Sequence, residues 1–260
     1  MGRNSAVPYL VALVALVASL LAGCAESGTA QPVSARSGAV EVRRSETVSR
    51  VPASEGPPAC GALGVPAGPP DCRLRARDPV GLAFTVRRTA VDGRTDATIE
   101  VATPDGTPTQ TLVERDIRHP SDPSLRDIDG DGREELIVPL HLATPNTRYA
   151  VYHASGAATE LRRAGELTGV AIDTTDDGQV ASTARDAEQT WSVGFWRFAD
   201  GELTPVVTAR VRLDTDGTRV TGSSCTVVDD GGLPATGLPS LVEARERFCA
   251  EPVVLRILRG

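Results

Sequence analysis

Nine residues near the middle of the chain have the types and spacing of a cation-binding turn. Asp127-Ile128-Asp129-Gly130-Asp131-Gly132-Arg133-Glu134-Glu135 places carboxylates at relative positions 1, 3, 5 and 9 and glycine at position 6. Calcium takes about six to eight hard oxygens in a flexible shell, and alternate residues of a tight turn can aim their carboxylates at one point. In that reading Gly132 permits the bend, the carbonyl of Arg133 adds a ligand, and Glu134 points away. The same acids without a cation repel one another. The plain alternative is a solvated Asp/Gly turn. Two partial echoes, residues 173–178 (DTTDDG) and 214–217 (DTDG), lack the full set and read as turns.

An EF-hand loop needs a bidentate glutamate at position 12 and flanking helices, but Val138 stands there, inside the apolar run ELIVPL (135–140). The stretch resembles instead the FG-GAP/VCBS loop of integrin-α-like proteins, in which the loop leads directly into a strand. That resemblance implies side-chain ligands at Asp127, Asp129, Asp131 and Glu135, with Glu standing where the family carries Asp. A single loop with Glu at its ninth position, in an extracytoplasmic setting where calcium is abundant, argues for a structural Ca²⁺ rather than a sensor. The resemblance rests on about a dozen residues and one loop, and the chain is too short for a seven-bladed propeller. The order of elements over residues 80–213 is similar to that of small envelope proteins with a single such loop.

Other chemistry is sparse. A Ser–His–Asp hydrolase would have to use His119, His141 or His153, and neither GxSxG nor HExxH occurs. The three read as surface or turn histidines. A carboxylate-pair glycosidase is open on sequence alone, yet only Trp191 and Trp196 could form large aromatic platforms. All 27 basic residues are arginine, against 34 acidic ones, for a net charge of −7. Nucleic-acid binding calls for the opposite balance, so no nucleic-acid partner is expected.

The N-terminus carries export signals. Arg3 precedes an apolar run from Val7 to Leu21, too short to span a bilayer as a helix, and small residues follow. Leu21-Ala22-Gly23-Cys24 resembles a bacterial lipobox, which implies cleavage after residue 23 and lipidation of Cys24. Residues 24–58 then form a flexible membrane tether, rich in Ser, Ala, Gly and Pro and unable to bury enough apolar surface to fold. With the lipobox and the arginine-only composition, the whole looks like an actinobacterial lipoprotein held on the extracytoplasmic face of the cell membrane. Cys60, Cys72, Cys225 and Cys249 remain, an even number suited to disulfides outside the cytoplasm. Three pairings are open, and the local one, Cys60–Cys72 with Cys225–Cys249, is expected. Zinc is not, because no CxxC occurs and the histidines lie far from the cysteines in sequence.

The elements that must position the acidic loop are strands. Leu82, Phe84 and Val86 alternate, Asp92-Gly93, Asp105-Gly106 and Asp200-Gly201 mark turns, and runs at 135–140, 148–154, 169–173, 179–184, 190–199 and 203–213 continue the pattern. Trp191, Val193, Phe195 and Phe198 are core candidates. One helix is expected, LVEARERFC, capped by Ser240 with Glu243 three residues on, burying Leu241, Ala244 and Phe248 and ending before Pro252, after which VVLRIL reads as a strand. The fold class is all-β or β-rich: antiparallel hairpins resembling partial propeller blades or a small β-sandwich, with one short C-terminal helix. The expected divisions are a signal peptide (1–23), a tether (24–58), a β-rich domain (59–213) and a disulfide-stapled β/α tail (214–260). The function these features favour is a binding or structural module of the cell envelope with a protein or glycan partner. An envelope hydrolase or hydrolase inhibitor is the alternative.

Overall fold

The computed structural model describes residues 56–61, 70–118 and 120–259. The leader, Cys24, the tether as far as residue 55, and His119 lie outside the described residues. Strands β1 (Cys72–Arg75), β2 (Ala83–Val91), β3 (Arg94–Ala102) and β4 (Pro108–Ile117) form sheet one; β5 (Ser124–Arg126), β6 (Glu135–Ala143), β7 (Asn146–His153) and β8 (Arg162–Gly169) form sheet two. Sheet three holds β9 (Ala171–Thr174), β10 (Val180–Ala187), β11 (Thr190–Ala199), β12 (Glu202–Asp216) and β13 (Arg219–Asp229). Each sheet is an antiparallel meander in chain order, as expected where Asp-Gly and similar turns join neighbouring strands.

Burial along the strands gives the layer order. Leu136, Val138 and Leu140 of β6, with Ala150 and Tyr152 of β7, pack against Phe84, Val86 and Ile99 of sheet one. The alternate residues Ile137 and Val151 pack with Ile172 and Val180 of sheet three. Sheet two is therefore covered on both faces, which is why the five residues after Glu135, LIVPL, form a continuous apolar run and not an alternating one. Ala181, Val193, Phe195 and Val207, on the far face of sheet three, meet the C-terminal helices α1 (Leu241–Phe248) and α2 (Pro252–Leu258). Phe195 and Phe248 touch there at a centroid separation of 4.7 Å.

Three expectations need correction. VVLRIL is the helix α2 and not a closing strand, so the described residues hold two short α-helices rather than one. A short apolar run is ambiguous by periodicity alone. Pro252 decides it by sitting in the first turn, where its missing N–H costs nothing, and Val253, Val254 and Ile257 then face the core of sheet three. In α1, Ser240 caps the Glu243 amide as expected, and Ala244 and Phe248 are fully buried, but Leu241 is 46% exposed. The helix is pinned to β13 at its other end by the Cys225–Cys249 bridge and by Arg245 Nε donating to the Cys225 carbonyl at 3.1 Å. The expected boundary at 213/214 falls inside β12, and residues 214–260 complete sheet three and its core. The local disulfides Cys60–Cys72 and Cys225–Cys249 are both formed. No helix among the described residues is long and apolar enough to cross a membrane.

Candidate metal centre

The acidic loop is the connection of the β5–β6 hairpin. Arg126 pairs with Glu135 across the two strands, so residues 127–134 form a closed loop at the end of sheet two. Ile128 is fully buried and anchors the loop in the core between sheets two and three. The loop's own amides organise the carboxylates. Asp127 accepts from Gly130 N at 2.7 Å and from Gly132 N at 3.0 Å; Asp129 accepts from Asp131 N at 3.3 Å; Asp131 accepts from Arg133 N at 2.7 Å. Gly130 and Gly132 hold positive φ of 77° and 85°, which a side chain would resist. Glu135 is fully buried, and its Oε2 accepts from the Ile128 amide at 2.9 Å.

The predicted acids converge as two triplets that share Asp129. Asp127, Asp129 and Glu135 each offer an oxygen within 4.8 Å of the others, and Asp129 and Asp131 do the same with a ring nitrogen of His153. These partly buried clusters could hold a metal ion. Burial, and then the charges of Asp131 and Asp127, push the Asp129 carboxyl above its usual range. Burial likewise raises Glu135. His153 is raised by its hydrogen bond to Glu135, which outweighs the opposing effect of burial. A bound cation would relieve the repulsion among these acids.

Three supports were not foreseen from the sequence. His153 is buried, not a surface or turn residue: it ends β7 on the same face as Val151, places Nδ1 3.1 Å from Glu135 Oε1 and stacks on Phe198 at 4.1 Å. The alternation of β7 was the available signal, since Tyr149, Val151 and His153 share one face. Arg133, expected to contribute through its carbonyl, also buries its guanidinium. That group donates from Nε to Asp78 Oδ2 at 3.0 Å and to the carbonyls of Gly156 and Ala158. Although burial raises it, Asp78 is held below the usual carboxylate range by the Gly81 and Glu134 amides and by Arg133. Finally, the DTTDDG turn braces the loop: Thr174 Oγ1 donates to the Asp127 carbonyl at 3.2 Å, and Gly178 lies so close that a Cβ would come within 2.6 Å of the Asp129 carbonyl. Glu134 turns outward from the acids to accept the Arg77 amide.

His141 lies half-buried on β6. Among the described residues, no serine hydroxyl or cysteine thiol is hydrogen-bonded to His153. No family model matches the chain, and no curated protein matches it. Among solved structures, a chain described as "Structure of a Xanthomonas Type IV Secretion System related protein" is similar, at 16% identity over 62% of this chain and 90% of that one, with a TM-score of 0.40. A likeness at that level carries no conclusion about fold or function.

Proposed function

We propose that the chain is an exported bacterial lipoprotein, anchored through Cys24, whose acidic loop binds a structural calcium ion and so stiffens a β scaffold that engages a protein or glycan of the cell envelope. The observation that carries the reading is the convergence of Asp127, Asp129 and Glu135 within 4.8 Å in a loop whose own amides already orient all three. Two disulfides suit an oxidising compartment outside the cytoplasm. The loop touches all three sheets, through Asp78, through its own hairpin and through the Thr174–Gly178 turn, so an ion there would brace the sheets together.

Calorimetric titration with Ca²⁺, together with thermal unfolding with and without EGTA, tests the reading. Calcium at a hundredfold excess over Kd should raise Tm by about 5–10 °C, and Asp129→Ala should abolish both the heat signal and the shift. An unchanged melt with no binding heat removes the site. The His153 nitrogen in the second triplet favours one further reading, a mixed carboxylate–imidazole site for Mn²⁺ or Zn²⁺. In that case those ions outcompete calcium, and His153→Gln removes their advantage.

A further inference from the structure

We propose that a slot between sheet three and α2 binds a small neutral molecule with a compact apolar body and one hydrogen-bonding oxygen. The slot is a cavity of about 320 Å³, at the lower end of the range of roughly 300–1,000 Å³ typical of ligand sites. Its walls are apolar: Trp191 and Leu213 from the sheet, Val253 and Ile257 from the helix. The two charged residues that line it, Asp173 and Arg256, are bonded to each other at 2.9 Å. Their charges are thus already met, and the slot asks for no charged ligand.

One polar group in the lining is unmet. Thr183 is 5% exposed, and its hydroxyl has no hydrogen-bond partner among the described residues. Buried polar groups are nearly always satisfied, and one left alone costs stability. Its neighbour shows the usual outcome, for Ser182 on the other face of β10 accepts the Trp196 indole N–H at 3.0 Å. Val180 and Ser182 point toward sheet two and the acidic loop, whereas Ala181 and Thr183 point toward the helices. A step of about 120° in χ1 carries the threonine hydroxyl to the position its methyl now holds, and the opposite step carries it to that of Hβ, so the unmet group lies one rotamer step from the slot at most. A ligand oxygen would satisfy it while the apolar body displaces water from Trp191, Val253 and Ile257. The site is independent of the cation reading.

The test titrates the full-length protein with benzyl alcohol and with toluene, which match in shape and differ in the hydroxyl, following the Trp191 indole N–H resonance. Both should shift it saturably. Thr183→Val should weaken benzyl alcohol binding roughly three- to tenfold and leave toluene unchanged. Thr183→Ser, which keeps the hydroxyl, should retain benzyl alcohol binding. Absence of a saturable shift with either compound, or an unaltered benzyl alcohol affinity in Thr183→Val, overturns the proposal.

Discussion

Asp78 and Arg133 are 55 positions apart in sequence, yet their side chains are 2% and 6% exposed and meet at 3.0 Å. Removing one partner of such a pair strands the other charge in a poor solvent, so Asp78→Ala should cost about 3–5 kcal/mol in urea unfolding at neutral pH. The pH dependence follows from the lowered carboxyl. Its contribution is complete above the unfolded-state value of about 3.9 and is lost as pH falls through the lower folded value. Asp78→Asn should therefore flatten the acid limb of the stability curve; an acid limb identical to that of the unaltered protein would refute the assignment. Of the residues around the candidate centre, Asp127, Asp129, Asp131 and Glu135 were legible because a contiguous loop writes the spacing of its acids into the sequence. Asp78 and His153 were not, since they arrive from other loops and strands and nothing in their local sequence marks the meeting.

The DTTDDG segment turns the chain between β9 and β10, and as sequence it reads as no more than that. Its Gly178 has φ +73°, and the carbonyl of Asp129 stands where a Cβ would need to be. Gly178→Ala should destabilise the protein by more than the ~1 kcal/mol of a simple turn glycine, and should also weaken cation binding, because the displaced carbonyl belongs to the loop. Calorimetry on that variant separates the two effects: a loss of stability with unchanged ion affinity would place the turn outside the site. Local rules served well where an element is decided locally, as in the alternation of Leu82, Phe84 and Val86 or the Ser240 cap. They failed at VVLRIL, where five apolar residues around Arg256 suit strand and helix equally, and Pro252 in the first turn together with the fit of Val253 and Val254 to the far face of sheet three decides.

Across the whole molecule, side-chain amides stitch the sheets where backbone ladders cannot. Gln110 of β4 exchanges hydrogen bonds with the backbone of Leu161 at 2.8 and 2.9 Å, tying sheet one to the approach to β8. Asn146 of β7 does the same with Arg185 of β10 at 3.0 and 2.9 Å, tying sheet two to sheet three. Between the first two sheets the buried Glu114 accepts from Tyr152 and Arg163, both at 2.7 Å. Asn146→Ala removes two bonds at once and should cost about 1–3 kcal/mol in chemical denaturation while leaving the proposed cation affinity of the acidic loop unchanged. A coupled loss of affinity would show that sheet packing, and not the loop alone, shapes the centre. The sequence by itself determined the β-rich class and the turns, favoured the local disulfides among three pairings and set four acids in one loop, because each depends on neighbours a few to about two dozen residues apart. The tertiary structure alone decided the layer order, the burial of His153 against Glu135 and the Asp78–Arg133 pair. Those contacts join residues brought together only when three sheets stack face to face, and two-residue periodicity says which way a side chain points but not what it will meet.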